Sequence, residues 1–440
     1  MRITEVRPYE PDPEHLHGAG LDRPASGATS DVYSLDVEGW AVGKSAPVAC
    51  VEVVHEGRPI VELPLGVTRP EIGSSFTDIA EAERSGFWGS FGGLKLRARF
   101  ELVLRARLES GQRVPLSALR GEREPLRTGY DPLVQPLMIT THGRSGSTWL
   151  VWLLSCHPQV VAFGPFAHDP RVATYWMTVL QELSQPASYL AQLDPPPLAT
   201  PRWWLGEGAV GRSVRDDAGA TRWLGLDAVR SLGAMCQARI DCFYAAQTDV
   251  QHDSRRVKYF VEKFSPGLVV TDLLHEIYPR AKEVILVRDF RDMFCSIRAY
   301  NARRASKGFG LKQGESDAEY IASTLCRFAR SLLQRWRARK GATHLLRYED
   351  LVLEPERAFR ELADYLDIDS TPATLKDALE RAGSRNVTSH QTAPDPVASI
   401  GRWRQDLTPE LIELCEEVLG PLLTEFGYAV EPGAELSRAT

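Results

Sequence analysis

Two hydrophobic textures divide the chain. Up to about residue 130, apolar and polar positions alternate over short runs, at 33–42, 46–54, 60–65, 96–108 and 113–119. Alternation of period two sends successive side chains to opposite faces, so these runs predict half-buried strands. Turn-forming stretches such as Glu56-Gly57-Arg58-Pro59 and Glu109-Ser110-Gly111-Gln112 punctuate them. Strands at this spacing, with no long helix between them, predict a small antiparallel β-sandwich. Trp40, Phe87 and Trp88 lie near its turns, where aromatic rings more often pack a core or rim than stack on a sugar. The charged, turn-rich stretch 121–130 reads as a linker. It separates a β-rich accessory domain over 1–125 from a second domain over 132–432.

From residue 132 onward, strands alternate with long helices, which predicts an α/β domain with a mainly parallel sheet flanked by helices. The run 283–287 (EVILV) is nearly continuously apolar, as expected of a strand buried on both faces. The strand 257–265 ends in Glu262 and Lys263, and 344–348 is a further strand. Ile321, Leu325, Phe328, Leu332 and Trp336 recur at helical spacing and are predicted core. The last helix opens with Thr408 as N-cap and Pro409 in the first turn, and carries Leu411, Leu414, Cys415, Val418 and Leu422 on one face. The Pro- and Gly-rich stretch 163–221, with Trp203 and Trp204, reads as loops around short helices forming an acceptor-site wall or lid. Residues 302–317, polar and punctuated by glycine, read as mobile.

Charge changes the picture locally. The chain of 440 residues carries a formal net charge of −6, which argues against a general nucleic-acid binder. Yet residues 278–312 hold nine Lys or Arg against three Asp or Glu, enough to attract a small anion. Seven scattered cysteines with no C-x-x-C pair suggest neither a disulfide framework nor a zinc site, and fit a reducing cytoplasm. No apolar leader opens the sequence and no 18 apolar residues run together, so no membrane span is expected. Homodimer formation is left open.

The chemistry centres on 138–152 (MITTHGRSGSTWLVW), which predicts a buried strand, a tight loop and a helix start. Gly143 and Gly146 let the backbone turn, and Ser147 and Thr148 set hydroxyls beside the free N–H groups of the helix. That is an anion cradle. The ATP-type P-loop needs a lysine before the Ser/Thr pair; here the charge is Arg144, inside the loop. Residues 286–301 (LVRDFRDMFCSIRAYN) predict a strand ending in Arg288 and a helix containing Ser296. A planar guanidinium fork and a neutral hydroxyl suit a phosphate dianion.

The cradle resembles the phosphosulfate loop of sulfotransferases that use 3′-phosphoadenosine 5′-phosphosulfate (PAPS), and the eight-residue spacing of Arg288 and Ser296 is similar to their 3′-phosphate site. The segment 399–404 (SIGRWR) resembles the Gly-x-Trp segment that closes over the nucleotide. The resemblance covers about 135–430 and implies a P-loop-like parallel sheet and sulfuryl transfer, without metal, from PAPS to a hydroxyl of a glycan, glycolipid or natural product. It implies donor contacts from Gly143, Arg144, Ser145, Gly146, Ser147, Thr148, Trp149, Arg288, Ser296, Ile400, Gly401, Arg402 and Trp403. Arg402 would reach the 3′-phosphate, with Arg385 and Arg404 as competitors, because the Arg-Lys-Gly of many cytosolic members is missing. By likeness to the bacterial, carbohydrate-modifying type, Glu262 would be the general base, with Lys263 and Arg144 clamping the sulfuryl group. His142, His168 and His390 are alternative bases, and His142, Trp203, Trp204 and His390 are candidate acceptor contacts. A nucleotide-dependent kinase and a non-catalytic binding module for adenosine 3′,5′-diphosphate (PAP) are the competing readings.

Overall fold

The alternating amino-terminal runs form eight antiparallel strands in the computed structural model, which describes residues 1–30, 33–163, 170–185, 218–251, 257–267, 269–304, 310, 314–384, 392–393 and 395–430. The strands are β1 Arg2–Pro8, β2 Leu16–Arg23, β3 Ser34–Gly43, β4 Val48–His55, β5 Arg58–Val67, β6 Gly86–Gly92, β7 Arg99–Leu108 and β8 Arg113–Glu122. Their order is β1-β8-β7-β4-β5-β6-β3-β2. β5 is the pivot: its first half pairs with β4, while Leu65 and Val67 pair with β6. Leu16, Val37, Val53, Leu63, Phe91, Leu104 and Leu116 share one buried cluster, so the sheet folds over on itself as a sandwich. β7 shows the pattern that makes this possible, with Phe100, Leu102, Leu104, Ala106 and Leu108 all buried and Arg99 and Glu101 exposed between them.

Three of these strands, β1, β2 and β6, lie outside the runs expected from the sequence. β2 carries Gly18 and Gly20 because the Trp40 ring lies over them; a Cβ on Gly20 would sit 2.6 Å from Trp40 Nε1. Trp40 packs with Phe76 and Ile79 against Val42, Ile72 and Ala82, and Phe87 is 1% exposed, so both rings serve packing. By its internal contacts this unit comprises Met1–Asp131, Thr174–Arg239 and Asp272–Ile277.

The second unit comprises Pro132–Ala173, Ile240–Thr271 and Tyr278–Thr440. Its sheet is wholly parallel, in the order β10-β11-β9-β12-β13, built from β9 Gln135–Thr140, β10 Val160–Val161, β11 Tyr259–Phe264, β12 Lys282–Val287 and β13 His344–Arg347. β9, first in sequence, is central, with β11 on one side and β12 on the other, which makes its carboxyl end the topological switch point where α/β sheets bind ligands. Alternation along the strands sorts two cores. Leu137, Ile139, Val261, Val284 and Leu286 face the helix Ser147–Ser155 and the helix Pro355–Leu366. Ile285 and Val287 face the helix Phe290–Arg304 and the closing helix Pro409–Glu425. Of the periodic residues predicted as core, Ile321, Leu325 and Leu332 are buried, while Phe328 and Trp336 are half-buried. All seven cysteines are free thiols. Among the described residues no helix is long and apolar enough to cross a membrane.

Candidate active site

Residues that follow the carboxyl ends of β9, β12 and β13 line one cleft, and Lys263 on β11 reaches it at Thr148. After β9 the backbone turns through Arg144 at φ 71° and Gly146 at φ 88°, and Gly146 caps the helix Ser147–Ser155. A left-handed conformation costs a non-glycine residue about 1–2 kcal/mol, so Arg144 holds strain inside the loop. Beneath the loop, the Thr141 hydroxyl donates to the Leu286 carbonyl at 2.6 Å and lies 2.8 Å from Ser145 Oγ. Ser145 is 1% exposed and supports the loop from inside; its side chain is not brought to the cleft.

Near the end of β11, Lys263 Nζ donates to Thr148 Oγ1 at 3.2 Å, placing a cation beside the helix start. After β12, Arg288 is 5% exposed, and its guanidinium donates to the carbonyls of Arg144 at 3.1 Å and Ser399 at 2.7 Å. On the helix that follows, Ser296 Oγ accepts from Arg144 Nε at 3.2 Å. Tyr300, one turn further, lies 4.5 Å beneath the Arg144 guanidinium, and burial lowers that group's pKa to about 10. After β13, the Tyr348 ring stacks under Arg288 at 4.6 Å and fills the space that a side chain on residue 146 would need.

The result is a cleft of about 620 Å³ lined by Arg144, Ser147, Thr148, Trp149, Arg288 and Ser296 together. The two motifs, some 140 residues apart, thus form one pocket. It suits a phosphate-bearing ligand: helix N–H groups, the hydroxyls of Ser147, Thr148 and Ser296 and the guanidinium groups of Arg144 and Arg288 converge on it, with Lys263 beside Thr148. Arg288 Nε adds a buried donor with no hydrogen-bond partner among the described residues.

A family model described as the sulfotransferase family matches residues 136–372, just over half of the chain. The chain belongs to the sulfotransferase family. Among solved structures, the sulfotransferase domain from the curacin biosynthetic pathway is 16% identical, with 68% of this chain and 100% of that one covered and a TM-score of 0.40. A mouse sulfotransferase complexed with PAP is 11% identical, with 68% and 87% covered and a TM-score of 0.35. A sulfotransferase from Mycobacterium avium is 14% identical, with 68% and 79% covered and a TM-score of 0.36. No curated protein matches this sulfotransferase.

Several expected site residues of the sulfotransferase are placed elsewhere. Glu262 is 0% exposed. β11 keeps regular register with β9 from Tyr259 to Phe264, so neighbouring side chains take opposite faces and no bend brings Glu262 round to Lys263. Val261 and Lys263 share the face of the helix Ser147–Ser155, whereas Glu262 accepts from the Tyr244 hydroxyl at 2.5 Å and the Ala173 N–H at 2.9 Å on the far side. Enclosed there, Glu262 is not among the described residues that line the cleft, where its expected role as the base would put it.

The segment 399–404 is close to the cleft but differently used. Arg402 pairs with Asp406 at 2.6 Å and donates to the Thr392 carbonyl at 3.0 Å, and Trp403 is 2% exposed, packed under Arg291 at 3.9 Å. Neither these two nor Gly143, Ile400 or Gly401 are among the described residues that line the cleft. Asp292 holds the segment instead, accepting the N–H groups of Gly401 at 2.7 Å and Trp403 at 3.0 Å. His142 stacks on Phe328 with centroids 4.0 Å apart, and burial lowers its pKa to about 4, so it is neutral at physiological pH and away from the cleft lining. His168, Trp203, Trp204, Arg385 and His390 lie outside the described residues, as do most of the expected acceptor wall and half of the stretch 302–317. Tyr348 is the wall residue that sequence reasoning missed. Its signal was position, directly after a strand of a parallel sheet.

Proposed function

We propose that the chain transfers a sulfuryl group from PAPS to a hydroxyl of a glycan, glycolipid or natural-product acceptor. The observation that carries this reading is that Ser147 and Thr148, at a helix start, and Arg288 and Ser296, after the neighbouring strand, line one cleft. A donor with a phosphate at each end of its ribose needs two such grips. The 5′-phosphosulfate takes the helix N–H groups, Thr148 and Lys263; the 3′-phosphate takes Arg288 and Ser296. In the transfer the acceptor oxygen bonds to sulfur as the bond from sulfur to the bridging oxygen breaks. The acceptor loses its proton, and the electron pair stays on the 5′-phosphate of PAP. Lys263, beside Thr148, is placed to stabilise that developing charge. Glu262 and its Tyr244 partner fix β11 from the opposite face and so hold Lys263 in register. Trp149, at the cleft wall, offers a flat face to the purine.

Calorimetric titration with PAP, ATP and GTP tests the donor, and turnover of labelled PAPS over a mixed hydroxyl panel tests the transfer. PAP binding tighter than that of either triphosphate, with label passing to an acceptor, is expected. Preference for ATP or GTP would favour a phosphotransferase, and PAP binding without any turnover a recognition module.

A further inference from the structure

Beyond the residues that the family pattern supplies, the cleft is lined by the polar side chains of Tyr348, Thr392 and Asp395, and of these Thr392 touches Ser296. Thr392 lines the cleft, and its Oγ1 lies 2.9 Å from Ser296 Oγ. The two hydroxyls hold two protons. One is spent between them, whichever donates, and Ser296 Oγ is further occupied as acceptor for Arg144 Nε at 3.2 Å. The other proton remains for the cleft, where Arg288 Nε is a buried donor with no partner among the described residues. A guanidinium and a hydroxyl that line the same cationic cleft are donors for a phosphate.

The residues around Thr392 fix its place. Arg402 Nη1 donates to the Thr392 carbonyl at 3.0 Å while its other nitrogens are held by Asp406, so Arg402 is turned to the backbone of residue 392. Asp292, one helical turn before Ser296, accepts the N–H groups of Gly401 and Trp403 and so ties the strand of chain bearing Arg402 to the helix bearing Ser296. We infer that Thr392 is a donor-binding residue, its hydroxyl completing with Ser296 and Arg288 the cluster that takes the 3′-phosphate. Arg402 is then a positioning residue that acts through the Thr392 carbonyl. This rests on the PAPS reading above, and it places a neutral hydroxyl where that family pattern carries a cation.

The test is calorimetry with PAP and with AMP, which lacks the 3′-phosphate, on the full chain. Thr392→Val keeps the shape and removes the hydroxyl; it should weaken PAP about tenfold or more, as expected for a hydrogen bond to a charged group, and leave AMP unchanged. Thr392→Ser should restore PAP affinity to within about threefold of wild type, since the hydroxyl alone carries the effect. If Arg402 works through residue 392, Thr392→Val with Arg402→Ala should lose no more than the worse single variant. Equal PAP affinity in Thr392→Val and wild type would overturn the inference alone, as would parallel loss of PAP and AMP or additive loss in the double variant. A wild-type protein that does not bind PAP would overturn the donor reading itself.

Discussion

Gly146→Ala is the perturbation that the cleft tolerates least, and its size follows from the coordinates. Gly146 sits at φ 88°, where alanine costs about 1–2 kcal/mol in backbone strain alone. The new Cβ would also lie 2.4 Å from Tyr348 Cδ2 and 2.7 Å from Cε2, so the ring has to move. That ring lies under the Arg288 guanidinium at 4.6 Å, and its hydroxyl lies 3.0 Å from Ser399 Oγ. Displacing it forfeits a hydrogen bond of about 1 kcal/mol and a cation–π contact of about 0.5–2 kcal/mol. Together these come to about 3–5 kcal/mol, a large share of the stability of an ordinary domain. Gly267→Ala is the matched control: φ is 79°, but nothing lies within 4 Å of its Cβ, so only the backbone cost applies. In urea unfolding Gly146→Ala should lose about 2 kcal/mol more than Gly267→Ala, and in calorimetry its PAP affinity should fall, because Arg288 loses its support. Equal losses in the two variants, with PAP binding intact in Gly146→Ala, would refute the claim that Tyr348 is a fixed wall of the site.

The other expectations are narrower. Arg288→Ala should cost PAP affinity about tenfold to a hundredfold, as a charged hydrogen bond is lost, and should affect AMP far less; calorimetry reads both, and a parallel loss would mean that Arg288 only ties Arg144 to Ser399. Glu262→Ala should keep PAP affinity within about twofold but lose about 2–3 kcal/mol of stability in urea, since the buried Tyr244 and Ala173 donors are left without their acceptor; normal stability with abolished transfer would return Glu262 to the role of base. Burial first, then Asp289, raises the Asp292 carboxyl from 3.8 to about 6. The folded form therefore holds a proton between those pH values that the unfolded form has released, so this group's stabilising effect is complete below pH 3.8 and is lost as pH rises through about 6. Asp292→Asn should lack that part of the pH dependence of unfolding, and identical slopes in both proteins would contradict it.

The sheet architecture of both units was legible because burial on one face or two leaves a periodic trace. β7 alternates and β12 ends in the apolar run 284–287, and each is found as expected. The strands that escaped notice are those whose composition answers a neighbour. β2 and β6 contain glycines because Trp40, Leu63 and the backbone of residue 67 come too close for a Cβ, and no local propensity encodes that. The same holds at the site. The cradle and the Arg288 to Ser296 spacing are local motifs and could be read directly. Tyr348 and Thr392 act only through what lies across the cleft from them, and their partners are distant in sequence.

Glu262 shows where motif reading and strand geometry part. Glu262 and Lys263 are adjacent, and a likeness in residue type invites one role for both. A strand allows that only if it bends, and the partners of β11 are set one residue at a time from Gln135 to Thr140. Once Lys263 points to Thr148, the alternation of side chains commits Glu262 to the other face, beside the Tyr244 and Phe260 rings stacked at 4.3 Å. The Lys263 charge, which the proposed transfer would use, and the carboxylate next to it in sequence are thereby separated by the thickness of the sheet. If the donor lies at the Lys263 face as proposed, register puts Glu262 on the other side, and the base for the acceptor would come from another element that approaches the Lys263 face.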